Sequence, residues 1–170
     1  MAKIHMSGRR MKLTVLSSAL VALTLATTAK ANSDKPTPDR VAAMAKHGFA
    51  LIECAIYAQD SSRYNDRAKP LFAKGRASLT GFITTLQTFN TTEQRLVLNK
   101  SPLIVNLSLG GPSPDFMIGR IYAAAEQYVL DKRQTRHKAA NDDGFPIYPS
   151  KEAIQADSEA MYRDRNCNLL

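Results

Sequence analysis

The sequence predicts an all-α fold, a small bundle of four to five helices behind a cleaved N-terminal signal peptide. Three observations carry that expectation. Apolar residues recur at three- and four-residue steps through most of the chain beyond residue 37. Helix-start signals stand at the head of those stretches: Thr37-Pro38, Asn90-Thr91-Thr92-Glu93, Ser113-Pro114-Asp115 and Ser150. The one segment with a period of two, Leu103 to Leu109, finds no partner strand, and a strand alone is not stable.

The first 31 residues read as an address. Lys3, Arg9, Arg10 and Lys12 form a basic start, and Leu13 to Ala29 then runs without a charge. Ala29-Lys30-Ala31 is a small-x-small site followed by polar Asn32-Ser33-Asp34, the three-part pattern of a secretory signal cleaved between Ala31 and Asn32. The apolar run is diluted by Thr and Ser and sits at the lower edge of what spans a bilayer, so a retained anchor is the weaker reading. Met11 is as good a start as Met1, which weakens a twin-arginine reading of Arg9-Arg10. The expected organisation is therefore a signal over 1–31, a short polar lead over 32–37 and a single helical domain over 38–170. The 170-residue length allows one ordinary domain. The location follows as periplasmic or secreted.

After the lead, Thr37 caps a helix with Pro38 at its first position. Val41, Met44, Ala45, Gly48, Ile52, Ala55 and Ile56, widened by Leu51, make an amphipathic stripe to about Asp60. A second helix is expected over Arg67 to Phe89, with Leu71, Phe72, Gly75, Leu79, Phe82, Ile83, Leu86 and Phe89 in the same rhythm. Pro70 is tolerated there only in the first turn. Gly75 and Gly81 cost roughly 1 kcal/mol each against Ala, which close approach of a neighbouring helix would offset. Asn90 and Glu93 form a capping box for a short helix to about Asn99.

Residues 101–112 are harder to read. Leu103, Val105, Leu107 and Leu109 alternate as in a strand, and the segment is taken as a buried helical turn or extended stretch ended by Gly110-Gly111-Pro112. Ser113-Pro114-Asp115 then opens a helix with Ile118, Ile121, Ala125, Tyr128 and Val129 as its apolar face. Gly119 with Ala123, Ala124 and Ala125 gives a smooth patch that reads first as packing within the domain and second as a homodimer seam. Asn141-Asp142-Asp143-Gly144 turns the chain, Phe145, Ile147 and Tyr148 form an apolar clip, and Ser150 caps a last helix to about Asn166. That helix has a thin stripe of Ala153, Ile154, Met161 and Tyr162.

Cys54 and Cys167 are the only cysteines. An oxidising compartment favours pairing them, and closing a loop of about 100 residues is worth roughly 4–5 kcal/mol in the chain-entropy picture. Free thiols and an intermolecular bridge are the alternatives. The expected staple joins the first and last helices and compensates for the narrow apolar stripe of the latter.

Charge narrows the partners. The formal net charge is +8, but five of the 23 basic residues precede Asn32 and no acid does. The mature chain keeps 18 basic and 15 acidic residues, a net of +3. Nucleic acid is thereby a poor partner, and no stable membrane span remains after cleavage. The run Lys132, Arg133, Arg136 and Lys138 is the strongest local charge feature. It reads first as a solvated helix end opposing the helix dipole, and second as an interaction patch for an acidic protein or an anionic envelope surface.

Chemistry-bearing patterns are sparse, and no catalytic residue, metal or cofactor is assigned. His47 and His137 lie 90 residues apart, and no His-Glu-x-x-His, Cys-x-x-Cys or calcium loop is present. Asn106-Leu107-Ser108-Leu109-Gly110 lacks the first glycine of a nucleophile elbow. Glu53 is read as a solvated helix position. Three functions are weighed. The first is a non-enzymatic protein-interaction module of inhibitor, immunity or adaptor type, with another envelope protein as partner. The alternative is a carrier of a small ligand or lipid, using Phe72, Phe82 and Phe89. The third is an envelope hydrolase.

Overall fold

The computed structural model describes residues 35–138 and 149–170. The predicted cleavage site at Ala29, Ala31 and Asn32, the Asn141–Gly144 turn and the Phe145, Ile147, Tyr148 clip lie outside those residues. The described chain is all-α: α1 (Pro38–Gln59), α2 (Asn65–Leu86), α3 (Thr91–Lys100), a short α4 (Leu103–Leu107), α5 (Pro114–Lys138) and α6 (Lys151–Asp164), with a closing 3₁₀ turn at Cys167–Leu169. No strand is present among the described residues.

The predicted caps are in place. The Thr37 hydroxyl accepts from the Arg40 N–H at 3.3 Å, and Pro38 and Asp39 occupy the first turn of α1. Asn90 and Glu93 complete a reciprocal capping box, each bond 2.9 Å. Ser113 accepts from the Phe116 N–H at 3.2 Å to start α5, and Ser150 does the same for Ala153 to start α6. Each cap satisfies a backbone donor that the first turn of a helix leaves without a partner.

α1 is the central helix, packed on by α2, α3, α5 and α6. Its consecutive residues Leu51 to Ala58 are all buried, so the predicted stripe is too narrow. Over Leu51 to Ala58 the neighbouring helices cover α1 on every side, and that stretch buries whatever it carries, including Glu53. α1 is also the one described helix long and apolar enough to cross a membrane, and here that apolar surface forms the core. α1 crosses α2 at two glycines. A Cβ added at Gly75 would lie 3.1 Å from the Gly48 carbonyl oxygen and 3.1 Å from the Leu51 Cβ. One added at Gly48 would lie 2.8 Å from the Leu79 Cγ. The close approach expected at Gly75 is therefore real, and its partner glycine is Gly48.

Three expectations change. α2 begins at Asn65, two residues early, which puts Pro70 in the second turn instead of the first. The Ser61 hydroxyl accepts from the N–H groups of Arg63 and Tyr64, both at 3.1 Å, and this turn launches the helix before the proline is reached. The 103–107 segment is one helical turn. Residues four apart share a helical face, so Leu103 and Leu107 lie together and exposed (70% and 69%) while Val105 alone is fully buried. Finally, α6 stops at Asp164. Asn166 then turns left-handed (φ 52°), a conformation asparagine tolerates, and swings Cys167 inward on the 3₁₀ turn.

Cys54 and Cys167 are joined by a disulfide across a sequence separation of 113. The staple therefore links α1 to the turn beyond α6. α6 is otherwise held by few apolar side chains, chiefly Met161 and Tyr162. Tyr162 stacks on Tyr64 with ring centroids 4.2 Å apart, and Glu159 accepts from the hydroxyls of Ser61 and Ser62.

Candidate functional site

α2 and α5 both lean on α1 and touch each other through Phe72 and Tyr122 and through Arg76 and Asp115, but small residues keep them from filling the space between them. Between them runs an open groove of about 740 Å³. Ala55 of α1 forms its floor. Ala68 and Phe72 of α2 face Ile118, Gly119 and Tyr122 of α5. The local cause is side-chain size: Ala55, Ala68 and Gly119 are too small to fill the gap, and a Cβ added at Gly119 would meet nothing within 4 Å. Phe72 and Tyr122 meet edge to face at 5.4 Å and stiffen the lining.

A second recess of about 630 Å³ continues along the same face of α2, past Ala73, Ala77 and Thr80, toward Ser113 and Pro114. Arg76 and Asp115 line both recesses. Their ion pair, Arg76 Nη2 to Asp115 Oδ1 at 2.9 Å, stands between the two. Asn65 to Thr80 is thus one lined face of α2, about 22 Å long at 1.5 Å per residue. The rim is polar. Lys69 and Arg76 supply cations, and the Tyr122 hydroxyl donates to Gln59 Oε1 at 3.2 Å. Burial, followed by the neighbouring Glu126 carboxylate, pushes the Tyr122 phenol up to about 12, so it stays a neutral donor at physiological pH.

The residues singled out by sequence are dispersed. Arg133 is not on an exposed patch: it is 9% exposed and bonds Asp60 at 2.7 Å and the Ser158 hydroxyl at 2.5 Å. It fastens α5 to the end of α1 and to α6. Lys132 lies 4.0 Å over the Tyr128 ring. Arg136 reaches Asp157 at 3.8 Å and Met161 Sδ at 2.8 Å. The side chain of Lys138 lies outside the described residues. The smooth patch splits too: Gly119 opens on the groove, Ala125 enters the core and Ala123 faces solvent.

Glu53 is the largest departure. It is 5% exposed, where a solvated position was expected. Arg165 Nη2 approaches its Oε1 at 3.6 Å, too far for a hydrogen bond, and that oxygen has no hydrogen-bond partner. Burial pushes the carboxyl above its usual 4.5, and the nearby charges of Arg165 and Lys132 only partly oppose it. One turn on, the Tyr57 hydroxyl is also buried without a partner, and burial together with Glu53 lifts it to about 12. The recess lined by Tyr57 holds only about 10 Å³, roughly one water.

Other chemistry is not brought together. His47 is exposed on α1. The Ser108 hydroxyl is buried and donates to the Ile104 carbonyl at 2.8 Å, back along its own helical turn. Among the described residues no group of three or more His, Cys, Asp or Glu side chains is placed to hold a metal. Phe82 and Phe89 pack into the core, leaving Phe72 as the one predicted phenylalanine that lines the groove. Comparison with protein-family models, with curated proteins and with solved structures finds no match to this chain.

Proposed function

We propose that this chain is an exported, non-enzymatic protein-interaction module that acts in the periplasm or outside the cell by receiving a segment of another envelope protein in the α2–α5 groove. The single observation that carries the reading is the groove: apolar along its floor, polar along its rim, and open to solvent on one side. Small-molecule sites enclose most of their ligand's surface. A trough open on one side suits a polypeptide, and the core packing of Phe82 and Phe89 removes most of the apolar lining a lipid carrier would need.

Filling the groove tests the reading. Gly119→Leu adds a side chain in open space, so the fold should survive it. Affinity capture from envelope extract with the mature chain should yield one stoichiometric partner, and the Gly119→Leu chain should lose it. Capture that ignores this substitution places recognition elsewhere. The export half of the proposal has its own test: N-terminal sequencing of the protein recovered from its cells should begin at Asn32, and a chain still carrying residues 1–31 refutes it.

A further inference from the structure

We infer that the groove's occupant is an amphipathic helix with an acidic flank, and that one of its carboxylates takes Arg76 over from Asp115. This inference rests on the groove being the recognition surface. The lined face of α2 runs about 22 Å, the length of a helix of roughly 15 residues. Its apolar side chains, Ala68 and Phe72 with Ala73 and Ala77, alternate with the polar rim at helical spacing, and the opposite wall of Ile118, Gly119 and Tyr122 does the same. Such a trough is read by a helix that presents apolar anchors at i, i+3, i+4 and i+7. Gly119 leaves room for one bulky anchor at the centre of the α5 wall.

Charge chooses the sign of the flank. The charged residues that line the two recesses are Lys69 and Arg76 against Asp115, an excess of one cation; Arg67 and Lys74 of α2 lie on its other side, beside Cys167 and Leu170. Lys74 is turned toward the Leu170 carbonyl, but Lys69 and Arg76 border the groove. Lys69 makes no ion pair among the described residues. Arg76 and Asp115 are both more than half exposed, and a pair so open to water is worth only about 0–1 kcal/mol. A partner carboxylate that arrives with an apolar face to bury can displace Asp115 at little cost and join the two recesses into one channel. A second copy of this chain is a poorer occupant because it brings a net positive charge of its own.

The test uses the mature, disulfide-bonded chain and a display library of random 16-residue peptides. Selected peptides are then made with a fluorescent label and titrated against variants of the protein. Enrichment of acidic peptides with apolar residues at i, i+3, i+4 and i+7 is the expected result. Their affinity should fall about tenfold or more with Gly119→Leu and with Lys69→Glu, and should rise roughly threefold with Asp115→Asn, which removes the internal competitor for Arg76. Peptides that are neutral or basic, lost with Gly119→Leu but unmoved by Lys69→Glu and Asp115→Asn, overturn the acidic helix and leave the groove as a binding surface. Peptides indifferent to Gly119→Leu, or no enrichment, overturn both. Circular dichroism melts of each variant separate lost binding from lost fold.

Discussion

Alanine at Gly75 sets a helix-propensity gain against a packing cost, and the crossing of α1 and α2 decides which wins. Replacing a mid-helix glycine by alanine favours the helix by about 1 kcal/mol. Against that, the new methyl would sit 3.1 Å from the Gly48 carbonyl oxygen, 3.1 Å from the Leu51 Cβ and 3.0 Å from the Ile52 Cδ1. Only the last of these can swing aside, since the other two are fixed to the α1 backbone. The helices must then separate by a few tenths of an ångström, which loosens Leu51, Ile52 and Leu79, all fully buried. Overpacking of this kind costs about 1–3 kcal/mol. The expected net is a loss of about 1 kcal/mol for Gly75→Ala. Gly119→Ala, with no neighbour within 4 Å, should keep the full gain of about 1 kcal/mol. Urea unfolding followed by circular dichroism, needed because the chain has no tryptophan, should separate the two midpoints by about 1 M. A Gly75→Ala protein as stable as wild type would refute the close crossing; a Gly119→Ala protein less stable than wild type would refute the open groove.

Three further outcomes follow from the same structure. Reducing the Cys54–Cys167 bond, which closes a separation of 113 residues, should remove up to about 5 kcal/mol and detach α6 first, read as new hydrogen exchange over residues 151–164. Glu53 has a carboxyl raised above its usual 4.5 by burial, so its contribution favours the fold below that value and is lost as pH climbs through the raised folded value. Glu53→Gln should therefore gain stability on wild type as pH rises above 4.5 in urea titrations, and parallel curves would contradict the burial. Arg133→Ala breaks the bonds to Asp60 and Ser158 and should cost about 2–3 kcal/mol in the same assay; an effect within 0.5 kcal/mol, as at an ordinary surface site, would return Arg133 to the solvated face.

Legibility differed sharply between parts of this molecule. The starts of α1, α3, α5 and α6 were readable because a cap and a first-turn acid, joined in α1 and α5 by a proline, act within four residues of one another. The cysteine pair was readable because there was one pair to make. At residues 103–107 the same short range misled: a period of two is ambiguous over five residues, and only packing of Val105 against the core fixed the turn as helical. Glu53 and Arg133 looked like surface charges because neighbouring residues in sequence give no sign that a second and third helix cover them.

The sequence alone determined the all-α class, the caps of α1, α3, α5 and α6 and which two cysteines could pair, all of which depend on contacts within a turn or on the chemistry of a single residue pair. The tertiary structure alone decided that α1 lies at the centre, that Lys132, Arg133 and Arg136 of the predicted patch are tied down, and that α2 and α5 leave a groove over Ala55, Ala68 and Gly119. Small residues read the same in a tight crossing and in an open groove. Gly75 and Gly119 differ only in what stands opposite them, and that is set by how whole helices lean on one another.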